Sequence, residues 1–426
     1  MQDTAQTIGK SRSQVESTYA WVRLWVSVLL GTIGSVGMWA GVVTLPAVQA
    51  EFGVSRADAS LPYTLTMIGF GLGAVGIGRL VDRFGVVPPL MTAVLLLGIA
   101  FVASGVAPSI FVYALASMAI GVGSSATFAP LIADISHWFE RRRGIAVAIC
   151  ASGNYIGGAI WPPIVQHLTD GVGWRQNQVI MGLVCLATML PLALVLLRRL
   201  RDHEDMDASA AANGAKGSLG FHPYVLFALL CLAGVSCCVA MSMPQVHIVA
   251  YCGDLGYGAA RGAEMLSLML GFGIISRIAS GFVADRIGGV ATLLIGSIAQ
   301  AAALALYIFF DGLAPLYVIS ALFGLFQGGI VPMYAIAVRD YFPPRQAGTL
   351  VGLVITSTIA GMAIGGWMSG AIFDLSGSYW QAFANGFLWN VLNIAIVVFL
   401  LLRLRSRGAQ AATGRSTAGP LPATPA

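Results

Sequence analysis

Apolar residues fill twelve long stretches of this chain, each nearly free of charge, separated by short turns rich in Gly, Pro and polar residues. Roughly 18 or more apolar residues in a row is the length an α-helix needs to cross a bilayer. The pattern predicts spans near 22–47, 60–79, 88–107, 110–135, 144–168 and 177–197, then 223–251, 263–284, 290–310, 313–338, 348–373 and 380–402. Between the sixth and seventh the pattern breaks into a polar, small-residue linker. The chain thus divides into an N-terminal tail (1–21), a six-helix bundle (22–197), a linker (198–222), a second six-helix bundle (223–402) and a C-terminal tail (403–426). The expected fold is an all-α membrane protein with twelve transmembrane helices in two halves.

Composition agrees. The 426 residues are 57% hydrophobic and 10% charged, where a soluble protein carries about a quarter charged residues. The 52 glycines suit close helix packing in lipid. The net charge of +5 does not indicate nucleic-acid binding, because topology accounts for the basic residues. Nineteen of the 23 Lys and Arg fall in the tails, the linker or the loops on their side, or at the edges of these segments. Arg56, Arg175 and Arg261 fall on the other side, and Arg277 falls within the membrane. By the positive-inside rule both termini are expected in the cytoplasm. The first span reads as the signal anchor, since 1–17 is polar and resembles no cleavable leader.

Little in the sequence suggests an enzyme. The six cysteines show no metal-ligand spacing, and Cys237-Cys238 reads as packing. The Gly-x-Gly spacings at Gly69-Gly71-Gly73 and Gly121-Gly123 lie inside spans rather than after soluble strands, so they are not phosphate loops. No cofactor, metal or nucleic-acid partner is expected, and a monomer in the lipid bilayer is.

The two halves echo one another. Asp82-Arg83 in GRLVDRFG recurs as Asp285-Arg286 in GFVADRIG, 203 positions later. Phe139 and Arg142 recur as Phe342 and Arg345 at the same offset. Such a parallel duplication places a substrate site at the interface of the halves, near mid-membrane.

GRLVDRFG after the second span, with its echo after the eighth, resembles the signature loop of the major facilitator superfamily, over about residues 20 to 402. The usual basic pair after the last glycine is Val86-Val87 here. The resemblance implies that Asp82, Arg83, Asp285, Arg286, Arg142 and Arg345 carry gating at the cytoplasmic face. WFERRRGIA at 138–146, with Gly153 and Pro162-Pro163, is similar to the signature of the monocarboxylate and oxalate–formate transporter group. Arg277, four residues before Gly281, stands where monocarboxylate transporters carry a substrate-binding arginine. Pro244 to Tyr251 is similar to the end of the seventh helix in bacterial members, whose histidine, here His247, faces the cavity. Two positions depart: Gly273 stands where animal members have an aspartate, and Ala47 where they have a lysine. The bacterial side of the group, and so an inner membrane, fits better.

Arg277 is the expected anchor on physical grounds also. A charge within a membrane helix marks function by default. Guanidinium offers a rigid two-donor fork that matches a carboxylate. The alternative is that it snorkels to the interface or pairs with a buried acid. Asp134, Asp311, Asp374 and Glu264 all fall near span ends, so no standing partner is evident. His247, after the helix-loosening Pro244, is the candidate for substrate contact and proton coupling; its alternative is a backbone-bonded histidine at the outer interface. Thr127 and Phe128, before Pro130, together with Asn154 and Asn385, are further cavity candidates, each with helix–helix packing as the alternative. His137, His167, His203 and His222 read as structural.

The function expected is secondary transport of a small organic anion, with a proton as a second candidate ligand. The rivals are a drug or metabolite efflux antiporter and a non-transporting carboxylate receptor. GNYIGGAIWPP at 153–163 is a poor match to the antiporter motif, and the linker offers no output domain.

Overall fold

The computed structural model describes residues 16–197 and 223–416, so the linker, both tail ends and the histidines at 203 and 222 lie outside the described residues. Among the described residues twelve helices are long and apolar enough to cross a membrane. Spans 1 to 6 are Thr18–Phe52, Arg56–Phe84, Val87–Gly105, Ile110–Trp138, Arg143–Val172 and Trp174–Val195. Spans 7 to 12 are Pro223–Asp254, Ala259–Ile287, Gly289–Phe309, Leu313–Tyr341, Gly348–Ser376 and Tyr379–Arg403. Span 1 begins and span 12 ends on one side, the termini face; the opposite side is the far face. No described residue forms a strand.

Local chemistry sets the ends. Ser17 and Ser55 cap spans 1 and 2 by accepting hydrogen bonds from the Ala20 and Asp58 N–H groups. Gly85 and Gly288 end spans 2 and 8 with φ of 80° and 88°, a region that only glycine enters easily. These two glycines are 203 positions apart, so the sequence echo is also an echo in backbone geometry.

Three spans are broken. Span 1 is interrupted at Ser35, span 4 between Ser125 and Ala129, and span 10 between Gln327 and Ile330. The breaks in spans 4 and 10 occupy equivalent places in the two halves. Span 7 instead runs unbroken through Pro244, and span 11 through Gly365-Gly366.

Glycines let particular pairs of helices touch at the backbone. Gly121 of span 4 lies against the Thr66 carbonyl of span 2, and Gly324 of span 10 against the Met269 carbonyl of span 8. A methyl group at either position would collide with the neighbouring backbone. Tight 2–4 and 8–10 pairs leave spans 2 and 8 free to face the opposite half. Span 2 meets span 11, where Gly366 receives the Tyr63 ring. Span 8 meets span 5, where Gly158 receives Leu270.

Candidate functional site

Arg277 sits 18 residues into the 29-residue span 8, about 6 Å beyond its midpoint toward the termini face at 1.5 Å per residue. It is partly buried. Its Nε approaches the carbonyl of Gly328 at 3.5 Å, in the break of span 10. Its Cζ lies 4.4 Å from the ring centroid of Tyr155, on span 5 of the other half. A cation over an aromatic face is attracted by the ring quadrupole, and the carbonyl end of a broken helix also favours positive charge. Among the described residues no carboxylate lies within ion-pairing distance of it. The arginine is therefore held by neutral groups, and its charge is available to an anion.

Asn154 neighbours Tyr155 on span 5 and is partly exposed, its side chain making no hydrogen bond to a described residue. Thr127 is 6% exposed and donates to the Ser124 carbonyl at 2.8 Å, while its methyl fills the space beside Gly34. Phe128, at the break of span 4, packs toward Phe70 with ring centroids 6.4 Å apart. Both belong to the joint of spans 1, 2 and 4 rather than to the surroundings of Arg277. Asn385 lies near the far-face end of span 12 and is partly buried. No described contact brings it to the arginine.

His247 is 0% exposed, and both ring nitrogens are engaged. Nε2 lies 2.8 Å from the Gly366 carbonyl, which can only accept, so Nε2 carries the hydrogen. Nδ1 then accepts from the Tyr379 hydroxyl at 3.0 Å. The Tyr379 oxygen in turn accepts from Arg56 Nη1 at 2.7 Å, and Arg56 Nη2 pairs with Asp254 at 3.1 Å. Asp374 adds two bonds, accepting from the backbone N–H groups of Arg56 and Ala57 at 2.8 and 2.7 Å. Arg56 also lies over the Phe373 ring at 4.6 Å. This chain of contacts clasps the start of span 2 to the last turns of spans 7 and 11 and the start of span 12, at the far face. His247 thus stands in the clasp, not beside Arg277.

Further in, Thr64 donates to the Ala363 carbonyl at 3.2 Å, and Ser267 bonds the Ala159 carbonyl. These links between the halves lie on the far-face side of Arg277. On the termini face Asp82, Arg83, Asp285, Arg286 and Arg142 are exposed. None of the five forms an ion pair with a described residue. The backbone N–H of Arg142 donates to Glu16 at 2.9 Å, and Arg83 lies over its neighbour Phe84. The side chain of Arg345 is outside the described residues. A separate pair within the first half joins spans 1 and 4: Arg23 donates to both oxygens of Asp134, at 2.6 and 2.8 Å, with Arg23 2% exposed.

Arg56, Asp254, Asp374 and Tyr379 are absent from the site candidates that the sequence suggests. One signal for them is available: Arg56 stands on the face where the chain places few basic residues, so an acid near it is to be expected. Tyr155, beside Asn154, stands out in the sequence only as an amphipathic group in an apolar run, with helix packing as the alternative.

Known proteins resemble this chain along most of its length. It is 27% identical over 340 residues to monocarboxylate transporter 13 of Bos taurus, covering 78% of this chain and 76% of that protein. It is 24% identical over 382 residues to the sialic acid transporter NanX of Escherichia coli, covering 84% and 87%. With the MFS-type transporter pynF of Aspergillus niger it shares 23% over 394 residues, covering 91% and 89%. Among solved structures, a bacterial homologue of the human lysosomal transporter Spinster, inward-facing and occupied, matches with a TM-score of 0.65 at 16% identity. That match covers 91% of this chain and 96% of the other. Residues 27–315 and 265–425 match the family model itself, and this multi-pass membrane protein belongs to the Major Facilitator Superfamily.

Proposed function

We propose that the protein is a secondary transporter that moves small organic anions of the monocarboxylate kind across a bacterial inner membrane by alternating access. One observation carries the reading. Arg277 lies near mid-membrane at the meeting of spans 5, 8 and 10, partly buried, with no carboxylate of its own. An uncompensated charge in a low-dielectric cavity disfavours closure around it, whereas an arginine–carboxylate pair is close to neutral. Substrate binding would thereby favour the rearrangement that the empty carrier resists. Two relatives are named for substrates that bear a carboxylate, monocarboxylates and sialic acid, which supports the same class.

The far-face clasp and the unpaired signature-loop residues at the termini face support a carrier caught open toward the termini face, which the positive-inside rule assigns to the cytoplasm. Asp82, Arg83, Asp285, Arg286, Arg142 and Arg345 would then act when that face closes. His247 is proposed to sense a proton through the clasp, and Asn154 to border the anion site.

The test is thermal stabilisation of the purified protein by a panel of small carboxylates, neutral isosteres and cationic drugs. A ligand that binds only the folded state raises the melting point by mass action. A carboxylate shift that is lost in Arg277→Ala and weakened in Arg277→Lys is expected. A shift with cationic drugs alone would sink the carboxylate reading.

A further inference from the structure

Gly273 and Arg277 stand one turn apart on the same face of span 8. A Cβ at position 273 would come within 2.5 Å of Tyr155 Cε1 and 2.8 Å of its Cδ1. Span 8 thus leaves out a side chain at one position, and span 5 of the other half fills the space with an aromatic ring. That ring then lies under the guanidinium, 4.4 Å from centroid to Cζ.

Two contacts hold the guanidinium. Its Cζ stands over the Tyr155 ring, and Nε points to the Gly328 carbonyl. Among the described residues nothing accepts a hydrogen bond from Nη1 or Nη2. We infer that Tyr155 is a positioning residue of the anion site, holding Arg277 so that a carboxylate meets its two terminal nitrogens edge-on, and that Gly273 is the seat that admits the ring. The inference rests on Arg277 being the carboxylate anchor.

The physical reason is preorganisation. An arginine loose in a cavity samples many rotamers, and a ligand that captures it must order it first. An arginine already held over a ring samples fewer positions, and less freedom is lost on binding. The ring comes from the first half and the arginine from the second, so this alignment exists only while spans 5 and 8 are in contact. A substrate held by Arg277 is then held better in the conformation seen here than in one where those spans part.

The experiment measures dissociation constants of pyruvate, lactate and benzoate by calorimetry on the full-length protein, with benzamide as the neutral control. Tyr155→Phe keeps the ring and is expected to bind within about twofold of the wild type. Tyr155→Leu keeps apolar volume without a π face, and affinity should fall about threefold to thirtyfold. Gly273→Ala should produce a comparable loss with Tyr155 intact, because the new methyl displaces the ring. The double variant should bind no more weakly than the worse single one, since both act on the same contact. Tyr155→Leu binding as well as wild type, Tyr155→Phe binding as weakly as Tyr155→Leu, or additive losses would each overturn the inference. If Arg277→Ala abolishes binding while Tyr155→Leu leaves it unchanged, only the positioning role fails. If the wild type binds none of the three acids, or Arg277→Ala binds like wild type, the anchor fails and the inference falls with it.

Discussion

The carboxylate of Asp374 caps the helix that begins at Arg56: one oxygen accepts from the Arg56 N–H and the other from the Ala57 N–H. An acid at the positive end of a helix is favourable, and this one reaches across from the opposite half. Loss of a cap weakens a helix end by about 0.5–2 kcal/mol, here all of it drawn from the far-face-closed arrangement. Asp374→Ala should therefore expose the space behind the clasp. Ser60 is 0% exposed there. A cysteine at position 60, in a background without the six native cysteines, should react faster with an impermeant maleimide in the Asp374→Ala protein. Unchanged labelling would show that the cap does not hold the face shut.

Tyr379 accepts from Arg56 and donates to His247. Tyr379→Phe removes both bonds and leaves two buried polar groups short of partners, a loss of about 1–3 kcal/mol for each group left unsatisfied. Far-face labelling should rise while carboxylate affinity at Arg277 changes little. A large loss of affinity instead would mean that the clasp and the anchor form one site.

Acid should open the same face. With Nε2–H given to Gly366, the neutral His247 accepts at Nδ1. A second proton would turn Nδ1 into a donor toward a tyrosine oxygen already bonded to the Arg56 cation. Tyr251 packs on Tyr379 as well, and Asp254 and Asp374 already bond Arg56 through its side chain and backbone, so neither carboxylate is a free partner for the new charge. Far-face labelling should therefore increase as pH falls, and His247→Gln should flatten the profile. A profile unaltered by that substitution would assign the pH response to another group.

Gly366 receives the Tyr63 ring, and a Cβ there would stand 2.9 Å from Tyr63 Cδ1. Gly366→Ala overpacks the contact of spans 2 and 11, at about 1–3 kcal/mol in the far-face-closed form alone. Transport should slow, and the far face should label more readily. Normal transport would mean the ring can shift without separating the spans.

Asp134→Ala leaves Arg23 buried without its acid. Breaking such a pair from one side destabilises by about 3–5 kcal/mol, so the melting temperature should drop clearly, with or without ligand. A melting temperature near wild type would mean that the bonds of Arg23 to the Tyr19 hydroxyl and the Leu196 carbonyl hold it without the acid.

Much of the frame is legible in the sequence because it is written locally. A run of apolar residues specifies a span wherever it occurs, and Gly85 and Gly288 announce a turn by residue type alone. Arg277 is legible for the same reason, as a charge where charges are rare. The clasp is not, because it joins Arg56 to residues 198, 318 and 323 positions away, and no periodicity reports such pairings. His247 illustrates the limit most clearly: its residue type admits a cavity role, but the fold commits both ring nitrogens to neighbours on spans 11 and 12. Tyr155 is an ordinary interfacial aromatic until Gly273 is seen beneath it.

The backbone repeats at an offset of 203, but the position equivalent to Arg277 in the first half is Ala74. The fixed charge of Arg277 therefore belongs to one half of a nearly symmetric frame. On the proposed rocking of the halves around an anion, an empty carrier would carry that charge through part of the transmembrane field, whereas a carrier loaded with a monoanion would move almost none. A full unit charge crossing 100 mV is worth about 2.3 kcal/mol. Membrane voltage should accordingly act on the return of the empty transporter far more than on the loaded passage, and exchange of one anion for another should be nearly indifferent to it.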